Sequence, residues 1–232
     1  MNIEQTPLGY EIRTPHLIML FGGVNAQIPA LKAAYPDIDF VRVKQIHSDA
    51  VVESENSSTD LQVIADAHIT KNKNVGICVI TADCVPLLFY HQGTGTIAGV
   101  HAGWRGVANR ITIKTIEKLI ASGIPAEELD VIIGPHIQKK SFEVGLDVRD
   151  QILGSLGTLT EAQRTLFTEK ISEDKALVDL NQVVKAQLQS MNIQADRVFD
   201  LHIDTFTNPD FHSHRRDKEK AGRQVSFICR IS

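Results

Sequence analysis

Three features of the sequence predict a mixed α/β or α+β sandwich. Short runs rich in β-branched residues recur along the chain, and segments with helical spacing fall between them at irregular intervals. Neither a Gly-rich dinucleotide fingerprint nor enough regular β-α units for a TIM barrel is present. No repeat, low-complexity tract or Pro/Gly/Ser-rich linker divides the chain, and apolar segments continue to its last residues, so the reading is one domain over residues 1–232.

Strands are expected near 17–21, 40–46, 76–81, 87–90, 96–101, 130–133, 197–200 and 225–231, each a short apolar run bounded by polar or turn residues. The clearest helix follows Gly106: Ile113, Ile116, Leu119 and Ile120 share a face, and Gly123 followed by Pro125 ends the run. A second spans about 179–191, with Val183, Val184 and Leu188 as its apolar members, and weaker helices are expected at 147–156 and 160–167.

With 24 Lys+Arg against 28 Asp+Glu, the formal net charge of −4 excludes a strongly basic nucleic-acid binder. The 43% hydrophobic and 22% charged residues are those of an ordinary globular protein. The amino terminus lacks a basic segment followed by an apolar one, and the longest apolar stretch, 75–90, is interrupted by Asp83 and Pro86; a cytoplasmic protein with no membrane span is expected. Three cysteines, Cys78, Cys84 and Cys229, form an odd set that argues against disulfides.

Four segments end apolar strands in ionisable side chains: 45–48 (QIHS), 81–86 (TADCVP), 101–106 (HAGWRG) and 134–137 (GPHI). His47, Cys84 and His101 offer two imidazoles and one thiolate, a set that suits Zn²⁺ with a fourth position left open; the alternative is three unrelated core or hydrogen-bonded residues. Gly103 and Gly106 flank Trp104 and Arg105 directly before the clearest helix, an arrangement expected to attract anions through helix N–H groups and the guanidinium, unless Trp104 is core and Arg105 pairs with an acidic neighbour. In the basic run 212–216 (HSHRR), Arg215 and Arg216 are candidates to close over an anionic substrate, against the alternative of a solvated loop. His136 reads as a turn residue hydrogen-bonded to backbone or as a wall of the site, the turn being favoured, and His16, His68, His91 and His202 have no supporting pattern.

Taken together, QIHSDAVV at 45–52, TADCVPLLF at 81–89, HAGWRG at 101–106, IGPHI at 133–137, FEVG at 142–145, VDL at 178–180 and HSHRR at 212–216 resemble the laccase-domain family, also called YfiH-like, polyphenol oxidase or peptidoglycan-editing-factor proteins. The resemblance implies an α+β fold of four layers, an α/β/β/α sandwich with mixed sheets, and a zinc site on His47, Cys84 and His101. It further implies purine nucleosides and phosphate as small-molecule partners: deamination of adenosine, and phosphorolysis of adenosine, inosine, guanosine or methylthioadenosine. The chain departs from the family pattern at Leu20, where an arginine is usual, at Asp204 in place of a cysteine, and at His214 in place of a tyrosine.

Under this reading Cys84, Asp83 and His101 are the catalytic residues, with Asp83 as proton shuttle, and Gln45, Arg105 and Arg215 contact substrate. The competing readings are a copper-dependent phenol oxidase, disfavoured because the chain has a single His-x-His pair, and a metal-free cysteine hydrolase using Cys84 with His101 or His47 as base. A peptidoglycan-precursor binder without turnover is a third.

Overall fold

A computed structural model describes residues 2–232, with the backbone alone for Thr59. Two six-stranded mixed sheets lie at its centre. The first has the order β1 (Ile3–Thr6), β2 (Gly9–Arg13), β3 (Leu17–Gly22), β15 (Gln224–Arg230), β7 (Val75–Thr81) and β4 (Asp39–Val41), antiparallel except at the β4–β7 pair. The second has the order β14 (Val198–Asp200), β10 (Leu129–Ile133), β8 (Val85–His91), β9 (Thr96–Ala102), β6 (Ala67–Thr70) and β5 (Val51–Glu53), with parallel outer pairs and antiparallel inner ones. A small antiparallel sheet joins β11 (Glu143–Gly145), β13 (Lys175–Val178) and β12 (Thr168–Lys170).

The period-two alternation of side chains explains the layering. On β3, Leu17, Met19 and Phe21 point between the sheets, where they meet Leu88, Ile97 and Ile132 of the second sheet. The alternate residues Ile18 and Leu20 pack outward with Leu31 of α1 (Ile28–Ala34), alongside Cys78 and Phe227. The far face of the second sheet presents Val85, Leu87, Val100 and Val131 to apolar residues of α3 (Ile111–Ala121) and α6 (Leu180–Ser190). Three cores between successive layers make an α/β/β/α sandwich. Strands covered on both faces read as continuous apolar runs, which is why they were legible in the sequence.

The expected strand at 40–46 is cut short. It leaves the sheet after Val41, where the Arg42 guanidinium and backbone N–H both bind the Asp60 carboxylate, and Lys44 keeps only a single bridge to Ile64. The run after Gly106 is not one helix either: α2 (Trp104–Ala108) and α3 are separated by Arg110 in a left-handed conformation, φ 64°. On α3 the buried face is Ile111, Ile116 and Leu119, whereas Ile120 is 45% exposed. The later helices fall where expected, as α4 (Leu146–Gly154), α5 (Glu161–Phe167) and α6, the last capped by Asp179, whose side chain accepts from Gln182 N–H at 2.9 Å. A short α7 (His214–Asp217) completes the set. No described helix is long and apolar enough to cross a membrane.

A candidate metal centre in the interlayer cavity

His47, Cys84 and His101 arrive from three separate elements. His101 is the penultimate residue of β9, Cys84 sits in the turn joining β7 to β8, and His47 lies in the loop after β4. Their ligand atoms all lie within 4.8 Å of one another. Zn–N bonds of about 2.0 Å and Zn–S bonds of about 2.3 Å hold tetrahedral ligands about 3.5 Å apart, so small side-chain rotations close the trio around one ion. Gly103 makes room for it: a Cβ there would lie 2.6 Å from His47 Nδ1 and 3.1 Å from Cys84 Sγ.

The group that positions two of the three, His47 and His101, is Asp66, a residue without a signal in the sequence. Its buried carboxylate accepts from the backbone N–H groups of Ile46 (3.2 Å), His47 (2.9 Å) and Ser48 (2.6 Å), and from the Ser48 hydroxyl at 2.6 Å. Three successive N–H groups converging on one anion form a nest, which holds His47 at φ 60° against the 1–2 kcal/mol that a left-handed residue costs at about that scale. His101 Nδ1–H donates to Asp66 at 2.7 Å, leaving Nε2 for a ligand. Burial alone would raise the Asp66 carboxyl, but hydrogen bonds from His101 and Ser48 hold it down at about 2. Burial likewise opposes charge on Cys84 and His101, yet each stabilises the other: the two histidines pull the Cys84 thiol down, and Cys84 with Asp66 pulls His101 up. The sulfur is thereby poised toward the thiolate, the form that binds metals.

A cavity of about 650 Å³ opens over the three ligands. Asp83, Arg105, Arg215 and Gln45 all line it. Their roles differ from the expectation in part. Asp83 lies beyond the end of β7 at φ 87°, with one carboxylate oxygen accepting from Thr205 Oγ1 (2.7 Å) and the other from the Arg215 backbone N–H (2.6 Å). Gln45 spends its amide on β7, donating to Ile80 O at 2.7 Å and accepting from Ile80 N–H at 2.8 Å, and so forms wall rather than a free contact. Arg105 is exposed, its guanidinium carbon 4.3 Å from the Trp104 ring centroid. The glycine-flanked helix start belongs to the five-residue α2 and not to the long helix, so the anion site expected from a long helix terminus is absent there.

Arg215 donates to Glu143 O at 2.8 Å and lies over Phe142, whereas Arg216 is turned away: its guanidinium donates to the carbonyls of Thr205, Phe206 and Phe211, and it clasps the loop instead of facing substrate. His136 is fully buried in an isolated parallel bridge to Asp204 and not in a turn, its Nδ1–H donating to Gly134 O at 2.7 Å, and it does not line the cavity. Leu20 is fully buried in the outer core and does not line the cavity. Lys44, Arg223 and His214 do line it, and sequence reasoning missed them because their backbones lie in loops or in the four-residue α7, where no periodicity fixes direction.

Residues 24–231 match the family described as multi-copper polyphenol oxidoreductase laccase. The chain belongs to the laccase-domain, YfiH-like family. This laccase-domain chain is 31% identical over 207 residues to a purine nucleoside phosphorylase of Clostridium acetobutylicum, covering 89% of itself and 83% of that protein. It is 32% identical over 185 residues to one from Pseudomonas aeruginosa, covering 79% and 71%. Among solved structures it superposes on YlmD from Geobacillus stearothermophilus with a TM-score of 0.84 at 23% identity, covering 99% of each chain, and on Bacillus licheniformis YfiH with 0.82 at 24%, covering 93% of each. The two structures share the laccase-domain sandwich.

Proposed function

We propose that this laccase-domain protein is a zinc-dependent purine nucleoside phosphorylase that also deaminates adenosine. The observation that carries the reading is a nitrogen, nitrogen and sulfur trio sharing one cavity with Arg105 and Arg215, whose guanidinium groups have no carboxylate partner among the described residues. Relatives named purine nucleoside phosphorylases support it. Zinc held by His47, Cys84 and His101 would supply a Lewis acid with an open fourth position. Among the described residues these three are the one group of three or more clustered donors of this kind, which fits a mononuclear site better than the several His-x-His pairs of a multicopper oxidase.

The chain's own residues do the rest. Asp66 fixes the tautomer and direction of His101. Arg105 and Arg215 bring bidentate-capable guanidinium groups to the cavity, suited to hold phosphate beside the ribose anomeric carbon. Phe142, Ile137 and Trp104 give an apolar wall for the base. Asp83, at the cavity surface next to Cys84, is the group assigned to pass a proton to departing ammonia during deamination.

Adenosine and inosine supplied with and without phosphate test the proposal. Inosine formed from adenosine in both conditions, together with hypoxanthine released from inosine only when phosphate is present, is the expected outcome. Absence of turnover of any purine nucleoside by the metal-loaded protein would overturn it, and oxidation of a phenol by a copper-loaded protein would replace it.

A further inference from the structure

The chain carries a net charge of −4, yet Lys44, Arg105, Arg215 and Arg223 all line the same cavity, where Asp83 is the one carboxylate-bearing residue among the described lining residues. None of these four cations has a carboxylate partner among the described residues, whereas Arg13, Arg42, Arg149, Arg164, Arg197 and Arg216 each have one. The guanidinium groups of Arg215 and Arg223 donate only to carbonyls, of Glu143 and of Ala221 and Gly222, while the Asp83 carboxylate is held by the Arg215 backbone N–H and not by its side chain. Concentrating unpaired cations against the sign of the whole molecule is the footprint of an anionic ligand.

The cations also fall into two groups. Arg105 and Arg215 are on α2 and α7. Lys44 and Arg223 instead flank the end of β7, one on each side: Gln45, next to Lys44, is bonded to Ile80, and Gln224, next to Arg223, is paired with Thr81. Phosphorolysis of a nucleoside brings a single phosphate dianion into the cavity, which Arg105 and Arg215 suffice to meet. The second pair is left without a ligand in that reaction.

Resting on the nucleoside reading above, we propose that the cavity accepts purine nucleoside 5′-monophosphates, with Lys44 and Arg223 binding the 5′-phosphate while Arg105 and Arg215 bind the attacking one. In the corresponding reaction a hydrogen-phosphate oxygen forms a bond to C1′ and the C1′–N9 bond breaks. Its electron pair leaves with the base, which takes up the proton carried by the phosphate. The products are the free base and ribose 1,5-bisphosphate, with no oxidant or reductant required.

Calorimetric titration of the purified protein with adenosine 5′-monophosphate and with adenosine, at low salt and without phosphate, tests binding; base release from both compounds with phosphate tests turnover. The nucleotide is expected to bind about tenfold or more tightly than the nucleoside, from charge-assisted hydrogen bonds that weaken as salt rises. Lys44→Gln combined with Arg223→Gln, both at exposed positions, is expected to erase that advantage while leaving base release from adenosine within about twofold, since neither side chain holds the attacking phosphate. Equal or weaker binding of the nucleotide, or an advantage that survives the double substitution, overturns this proposal and leaves the nucleoside reading standing if adenosine still releases its base. Failure of both compounds to bind or react overturns both.

Discussion

Asp66 positions two of the three ligands: it aims His101, and the backbone nest around it sets the strained turn that delivers His47. Asp66→Asn keeps the shape but offers weaker acceptance to the imidazole, so zinc affinity is expected to fall by about 10- to 100-fold, read by competition with a coloured chelator. A larger effect comes from crowding at Gly103. Gly103→Ala places a methyl group 2.6 Å from His47 Nδ1, so metal binding is expected to be lost while the circular-dichroism spectrum stays native. Unchanged zinc affinity in either variant would contradict the assigned geometry. The three ligands were legible because each sits inside a distinctive motif, although only His101 lies at the end of a strand, Cys84 being in a turn and His47 in a loop. Asp66 was not, because a single carboxylate in the run IADAHI has no periodicity, and its purpose exists only once residues 46–48 and 101 are folded around it.

At the scale of elements, legibility followed burial. Long strands covered on both faces announced themselves as apolar runs, and β3, β7, β8, β9, β10 and β15 fall within a residue or two of expectation, whereas the equally buried β6 did not, because His68 and Thr70 interrupt its apolar run. The edge hairpin of β1 and β2 did not, since its residues Ile3-Glu4-Gln5-Thr6 are half-buried or exposed and depend on pairing with a neighbour for their structure. Helix α6 was found because Val183, Val184 and Leu188 all face the core. Leu188 is fully buried, so Leu188→Ala is expected to lower stability by about 2–5 kcal/mol in urea denaturation. Zinc stoichiometry should not change, because the helix packs on the far face of the second sheet from the metal centre; a loss of metal would show that the outer layer shapes the site.

At the scale of the whole molecule, a buried histidine adds to the acid sensitivity that paired carboxylates give. His68 is fully buried between the sheets, Nε2–H donating to Cys78 O at 3.0 Å and Nδ1 accepting from the Ser54 hydroxyl at 3.0 Å. Burial depresses it from 6.5 to about 4, so between those values the unfolded chain binds a proton that the folded chain refuses. Stability contributed by neutral His68 is present above pH 6.5 and lost as pH falls toward 4, by about 3 kcal/mol in all. Asp66 acts lower: its contribution is intact above 3.8 and lost as pH falls toward 2. Urea denaturation at pH 7 and pH 5 should therefore show a decline that His68→Gln flattens, and an unflattened decline would assign it elsewhere.

The three distant ligands meet only because two sheets and a helix start close on one another, and the direct measurement of that convergence is metal content. Protein purified without added metal or chelator, then analysed for every transition metal, should carry one zinc per chain, and Cys84→Ala, His47→Ala and His101→Ala should each lose it. A wild type without metal, or a Cys84→Ala variant that retains a full equivalent, would contradict the account.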